Sequence, residues 1–280
     1  MPVIISVEGN IGSGKSTILE QIKNRMRFNP RVVFIKEPVD VWNSIVDHST
    51  GENILQKFYG DQAKYAFSFQ VMAYATRLSL IRGTIEANPD CDIIVCERSL
   101  DADKEIFAKM LHDDGMIDDV QYQIYQHFYK EYSNLYYLSG IIYIDADADV
   151  CERRVHKRLR DGETSISLDY LTKCKRYHDE WLLDKERWNN TTNDIKVLRL
   201  QTNADVTYDI NDKNDLGNKW VNQIEMCIHS HLACIDESSC NRRCNEVSGE
   251  VAYTENGHER DEHKFSGGIK CSASNKIKVC

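Results

Sequence analysis

The sequence predicts an α/β fold, a five-stranded parallel sheet with helices on both faces, and two observations carry the prediction. Five short runs rich in apolar and β-branched residues recur, Val3–Val7, Val32–Ile35, Asp92–Cys96, Gly140–Ile144 and Lys196–Leu200, with helical stretches between them. That alternation is what parallel strands joined by crossover helices require. The first run leads directly into Gly9-Asn10-Ile11-Gly12-Ser13-Gly14-Lys15-Ser16-Thr17, a match to G-x-x-x-x-G-K-[ST], and Ile18-Leu19-Glu20-Gln21-Ile22 continues from it as a helix. Strand, glycine-rich loop and helix in this order form a phosphate-binding loop.

The loop glycines let the backbone curl so that several N–H groups point at one anion. The helix beginning near Lys15 adds its positive dipole end, and the lysine adds a full charge. A nucleoside triphosphate is the implied ligand. Pro30 is the stop signal after this first helix, and Asn88-Pro89 closes a long one around Gln62–Ala87.

The second strand ends in Lys36-Glu37-Pro38-Val39-Asp40-Val41-Trp42 and the third in Glu97-Arg98-Ser99. In a parallel sheet both tips lie at the carboxyl edge, beside the phosphate loop. A carboxylate there can activate a hydroxyl nucleophile or hold Mg²⁺, and an arginine can pair with an anion or steady the carboxylate. In the long helix, Gln70, Tyr74 and Arg77 are spaced i, i+4, i+7, with Phe67 at the border of that face. An amide, a phenol and a guanidinium make a poor hydrophobic seam and a reasonable wall for a planar base. After the fourth strand, Arg153-Arg154-Val155-His156-Lys157-Arg158-Leu159-Arg160 puts five cations into eight residues, with Asp161-Gly162-Glu163 as a turn beyond. Arg154 and Arg158 share a helical face, so this run reads as a lid that closes over a triphosphate.

Length and composition fit this reading. The chain has 280 residues and a hydrophobic fraction of 41%, enough for a core of one α/β domain with an appendage. A net charge of −9 argues against a general nucleic-acid coat. No apolar run approaches the roughly 18–20 residues that span a bilayer. The N-terminus enters a strand at once, without a signal-peptide pattern, so a cytoplasmic protein is expected. From about Ala233 the large apolar residues thin out and no helix or strand period holds. Residues 1–232 are therefore expected to form the working domain, and 233–280 a polar, Cys-containing, disordered or loosely held tail. A metal site from Cys234, Cys240 and Cys244 with His258 or His263 is the rival reading, although those spacings lack a C-x2-C pair.

These motifs, in this order and spacing over about residues 3–232, resemble the deoxynucleoside kinases. The resemblance implies a P-loop kinase with an arginine-rich lid, transferring the γ-phosphoryl group of ATP, with Mg²⁺, to the 5′-hydroxyl of a deoxyribonucleoside. It implies Glu37 as general base and Arg98 beside it. Lys15 and the loop Gly9–Thr17 hold the donor phosphates, and Ser16 and Glu97 place the metal. Arg154 and Arg158, with Arg160 near, clamp the transferring group. Tyr59 and Glu163 grip the sugar 3′-hydroxyl, Gln70 reads the base edge, and Trp42, Phe69 and Phe107 form an aromatic slot. Val206 packs on the donor's base.

Arg77 and Asp103 stand where members that act on deoxycytidine and purine deoxynucleosides carry the same pair. Those nucleosides are therefore expected over thymidine. Ala102 and Glu105 depart from the family's frequent serine and tyrosine, which leaves the setting of the helix behind Asp103 open. A homodimer is implied as well. A thymidine-preferring or broad deoxynucleoside kinase is the first alternative, and two others remain at this point. A nucleoside monophosphate kinase needs more acceptor-side cations than Arg77 and Arg98, and a catalytically silent relative could dispense with Glu37 and the lid arginines.

Overall fold

The computed structural model describes residues 1–133, 136–158, 160, 162–163, 166–183 and 195–250, with 239–250 described in their backbone alone. It divides into a unit of Met1–Ser230 and a unit of His231–Cys280. In the first, β1 (Val3–Gly9), β2 (Val32–Ile35), β3 (Ile93–Glu97), β4 (Leu138–Asp145) and β5 (Lys196–Gln201) form one sheet in the order β2-β3-β1-β4-β5. Every pairing is parallel, as the sequence predicts. All five residues of β3 are buried. A strand wet on one face would alternate, so both faces of this one are covered. Ile94 and Cys96 pack against Tyr74 and Ile81 of the long helix, whereas Ile141 and Tyr143 of β4 pack against Ile106, Met110, Cys174 and Trp181.

Register decides where the chemistry sits. Val7 pairs with Glu97, Ile35 with Cys96 and Gly9 with Ile144. The tips carrying Glu37, Glu97-Arg98 and the phosphate loop therefore end at one level on one edge.

The helices are α1 (Lys15–Arg25), α2 (Val39–Ser44), α3 (Ile54–Gly60), α4 (Gln62–Ala87), α5 (Leu100–Ala102), α6 (Lys109–Asp113), α7 (Asp119–Tyr132), α8 (Ala148–Arg158), α9 (Leu168–Leu182) and α10 (Leu216–Glu250), with a π-helical segment, Asp103–Ala108, between α5 and α6. α4 ends at Ala87, one residue before Asn88-Pro89, where the proline forbids continuation. α3 starts with a reciprocal capping box: Gln56 N–H donates to Asn53 Oδ1 at 2.9 Å, and Asn53 N–H to Gln56 Oε1 at 2.8 Å.

α10 runs on through 233–250, where the sequence suggests no regular period. The reason is local. No glycine or proline stands between Gly217 and Gly249, and a helix propagates through such a stretch at one hydrogen bond per residue without needing an apolar face. Residues 251–280, with His258 and His263, lie outside the described residues, as do the side chains of Cys240 and Cys244.

Candidate active site

The phosphate loop is assembled as the sequence predicts. Gly14 caps α1 in a left-handed conformation, so the first N–H groups of α1 open onto the loop. Gly12 matters for a second reason. Its φ is +81°, and a Cβ there would lie 2.6 Å from the Cys151 carbonyl oxygen and 2.9 Å from Val155 Cγ2, so α8 rests directly on the bare loop backbone.

Lys15 Nζ donates to the carbonyls of Gly9 (3.1 Å) and Asn10 (2.8 Å), folding the side chain back along the loop. Burial, helped by the Arg98 cation, lowers its pKa to about 8. An anion in the loop favours the charged form and raises that value, so binding takes up a proton once the solution is above about pH 8. The dissociation constant of a nucleoside triphosphate is expected to rise about tenfold between pH 7 and pH 9 by this linkage. Calorimetric titration with a triphosphate in buffers of different ionisation enthalpy measures both the affinity and the proton uptake.

Four charged groups meet at the strand tips. Arg77, buried on α4, donates from Nε and Nη2 to Asp103 at 2.8 and 3.3 Å, from Nη1 to the Glu97 carbonyl at 2.7 Å, and from Nη2 to Glu37 Oε1 at 3.1 Å. Arg98 approaches the same Glu37 oxygen at 3.3 Å from the other side. Burial pushes the Glu37 carboxyl up, but Arg98, Arg77 and Lys15 outweigh it, and its pKa lies below the ordinary value. Glu37 is therefore an ionised carboxylate at neutral pH. Arg98 adopts φ +65°, a left-handed backbone unfavourable for a long side chain. Its guanidinium lies 4.6 Å from the centre of the Phe107 ring, and its buried Nη1 has no hydrogen-bond partner among the described residues. Ser16 Oγ donates to Glu97 Oε1 at 2.6 Å. A hydroxyl and a carboxylate side by side at a phosphate loop are the hard oxygen donors that Mg²⁺ prefers, so these residues fit that ion.

One cavity of about 570 Å³ joins these groups. One end is aromatic. Trp42 and Phe69 meet edge to face at 5.6 Å, Phe58 stacks on Phe69 at 4.5 Å, and Phe107 closes the slot. Trp42 is held in place by its Nε1–H, which donates to Thr76 Oγ1 at 2.9 Å. The π-helical turn beginning at Asp103 sets Asp103 and Phe107 both on the cavity wall; such turns are frequent at functional sites. Gln70 is 2% exposed, lines the same end, and its Oε1 accepts no hydrogen bond among the described residues.

The proposed helix wall needs correction. Of Gln70, Tyr74 and Arg77, only Gln70 lines the cavity. Tyr74 packs into the core beside Tyr125, with its hydroxyl donating to the Phe128 carbonyl at 3.2 Å, and Phe67 packs against the same cluster. The wall is the Phe69, Gln70, Ala73 side of α4, because i+4 rotates past the wall toward α7. Arg77 returns to the azimuth of Gln70 two turns on and supports the wall from behind.

The arginines of α8 divide. Arg154 donates to the Ser13 carbonyl (3.4 Å), the Ala204 carbonyl (3.0 Å) and Asp205 (3.3 Å), and so belongs to the phosphate loop and the segment after β5. Arg158 pairs with Glu163 Oε2 and Arg160 with Glu163 Oε1 at 3.1 Å, so both oxygens of this carboxylate are engaged. Tyr59, Glu163 and Val206 line the cavity. So does Lys157, one of the cations of the 153–160 run, and so do Tyr170, Thr202, Tyr208 and Trp220, which the sequence does not point out. Gly9 and Asn10 stand off the wall. Asn10 is buried and donates from Nδ2 to the Leu171 carbonyl at 2.8 Å, anchoring the loop to α9.

No helix among the described residues is long and apolar enough to cross a membrane. The sequence model of the family described as "Deoxynucleoside kinase" matches residues 5–225. The chain is 34% identical, over 213 residues, to a fowlpox virus protein described as a "Probable deoxycytidine kinase", covering 75% of this chain and 82% of the other. It is 30% identical to human deoxycytidine kinase over 225 residues, 72% of this chain and 84% of that enzyme. It is also 30% identical to the mitochondrial deoxyguanosine kinase of Xenopus laevis over 234 residues, 77% and 87% respectively.

Proposed function

We propose, for a chain that belongs to the deoxynucleoside kinase family, that it transfers the γ-phosphoryl group of ATP to the 5′-hydroxyl of a deoxyribonucleoside in nucleotide salvage. The observation that carries this reading is that Glu37, Arg98 and Lys15 surround one cavity, with a phosphate loop on one side and an aromatic slot on the other. The nucleoside's base lies in the slot between Trp42, Phe69 and Phe107, and its 3′-hydroxyl meets Tyr59 and Glu163. Its 5′-hydroxyl faces Glu37 and Arg98. The 5′-oxygen bonds to the γ-phosphorus as the bond to the β–γ bridging oxygen breaks. The nucleoside diphosphate leaves, and the hydroxyl proton passes to Glu37. With its pKa held down by three cations, Glu37 is a weak base; it orients the hydroxyl first and takes the proton late.

Lys15 and the amides of the phosphate loop, Gly9–Thr17, hold the donor's phosphates, and Val206 packs on its base. Ser16 and Glu97 would hold Mg²⁺, which would supply charge compensation for the donor's phosphates. Arg154, on the cavity wall, keeps the phosphate loop joined to the segment after β5 and, with Arg158, clamps the transferring group. Arg158 and Arg160 reach the transferring group by leaving Glu163, so a nucleoside whose 3′-hydroxyl competes for that carboxylate helps to release them.

Deoxycytidine and deoxypurine nucleosides are preferred over thymidine. The bare Gln70 oxygen and the Asp103 carboxylate put acceptors at the base edge, and cytosine and adenine carry an exocyclic amino donor to match them. Leaving a buried acceptor unmatched costs about 1–3 kcal/mol. Rates on all four deoxynucleosides, with Glu37→Gln as the control, test the reading. Turnover of deoxycytidine or a deoxypurine nucleoside at least fivefold above thymidine is expected. A thymidine preference overturns the specificity, and activity confined to monophosphates overturns the reaction.

The working domain is taken as 1–232 and the polar tail as 233–280. The chain acts in the cytoplasm as a homodimer without nucleic-acid partners. Val120, Ile124 and Phe128, an exposed i, i+4, i+8 apolar stripe on α7, support the dimer.

A further inference from the structure

Beyond Val206, the segment after β5 carries an aromatic group whose placement has no role in the reaction as described. Among the described residues, two that are not glycine have positive φ. One is Arg98, at the centre of the chemistry, and the other is Tyr208, at φ +57°. A bulky side chain adopts this region only where its surroundings impose it, and such sites concentrate at binding clamps.

The surroundings here are built for the purpose. Asp215 Oδ2 accepts from Thr207 Oγ1 at 2.9 Å, and Asp215 Oδ1 accepts from the Asn218 N–H at 2.7 Å. Asn218 Nδ2 donates to the Asp209 carbonyl at 2.6 Å, and Arg25 Nη2 from α1 donates to Asn218 Oδ1 at 2.6 Å. The segment is thereby tied to the first turn of α10. Gly217 leaves that turn bare: a Cβ there would lie 2.7 Å from Tyr208 Cδ1 and 2.8 Å from Val206 Cγ2. The phenol ring and the Val206 methyl thus lie on the helix backbone itself. Val206, Tyr208 and Trp220, three residues past Gly217, together line one end of the cavity. Thr202 marks the way from there to the phosphate loop, its hydroxyl 3.4 Å from the Ser13 carbonyl.

We propose that Tyr208 is the stacking platform for the base of the donor nucleoside triphosphate, held in register by the bare backbone of Gly217. The inference rests on the phosphotransfer reading above and adds to Val206 a second group, an aromatic one, at the donor's base. The aromatic slot around Phe69 is built on α2, α3, α4 and the π-helical turn, none of which carries Val206, Tyr208 or Trp220, so the two bases use different walls. Because every nucleobase presents a π-face, such a platform accepts purine and pyrimidine triphosphates alike.

The test uses Tyr208→Asn and Tyr208→Phe in the full chain. Asparagine tolerates the left-handed backbone, so Tyr208→Asn removes the ring without adding strain, and its melting temperature is expected to stay within a few degrees of the parent's. Loss of one base–aromatic stack is expected to weaken binding of ATP and of UTP about tenfold. Inorganic tripolyphosphate, which has no base, is expected to bind both proteins equally, and the KM for the nucleoside to stay within twofold. Tyr208→Phe keeps the parent's donor affinity. Unchanged ATP affinity in Tyr208→Asn, or an equal loss for tripolyphosphate and ATP, overturns the proposal. Because the binding arm needs no turnover, a parent chain that phosphorylates no deoxynucleoside would count against the phosphotransfer reading while leaving the stacking result legible.

Discussion

Replacing Glu37 with glutamine is expected to lower kcat about a thousandfold while leaving the KM for either substrate within a few-fold, the size usual for loss of a positioned acid–base group. The substitution keeps the shape of the side chain and removes one negative charge from a cluster of three cations. Arg77 keeps its two bonds to Asp103 and its bond to the Glu97 carbonyl, so the wall of the slot stands. Among the described residues Glu37 is the carboxylate that Arg98 pairs with directly. In the proposed reaction the amide can neither take the proton nor hold Arg98 against the 5′-oxygen, and both losses fall on the transition state rather than on binding. Steady-state kinetics with a fixed donor and a varied nucleoside separate the two. A fall in kcat of less than about tenfold would show that Glu37 does neither job.

Asp103→Ala is expected to be the most damaging change to stability near the site, about 3 kcal/mol, because it leaves a buried guanidinium without its main counter-charge. Both side chains are almost fully buried, at 3% and 4% exposure. Glu37 remains as a partner for Arg77, which limits the damage, but its carboxylate would then be drawn away from Arg98. For a domain of this size the expected fall in melting temperature is roughly 6–12 °C. The paired replacement Arg77→Met with Asp103→Ala removes the orphaned charge along with its partner, and should recover a substantial part of the loss. Denaturant titration of both single variants and the double variant closes the cycle. Additive losses would mean that the two side chains do not act as a pair.

What the sequence made legible followed from local rules. A glycine-rich turn between a strand and a helix has one common use, and parallel strands bring their carboxyl tips to one edge, so Lys15, Glu37, Glu97 and Arg98 could be placed together without coordinates. The cations of 153–160 were equally visible, because a local excess of charge in an acidic chain needs no fold to be noticed. The failures are tertiary. Tyr74 was assigned to the wall because its spacing from Gln70 is helical; whether i+4 faces the cavity or α7 depends on which neighbour packs there. The spacing makes Arg77 a direct contact, yet its position two turns on makes it a support for Asp103 and Glu37. Phe58, Tyr170 and Trp220 reach the cavity from three separate helices, and nothing in their own neighbourhoods distinguishes them from core aromatics. The length of α10 is illegible for a different reason: an apolar period marks a helix in sequence, and this helix carries on through residues that have none.

The bare contact between Gly12 and the backbone of α8 has a mechanical consequence. Cys151 and Val155 sit on the phosphate loop, and Arg154 is fastened to Ser13, so this half of α8 is a fixed pivot. Arg158 lies one turn farther along and is fastened to Glu163 instead. Any swing of the arginine arm therefore hinges between Val155 and Arg158. Its stroke is limited to the side chains and backbone beyond that fulcrum, and a methyl group at position 12 would unseat the hinge from its bearing.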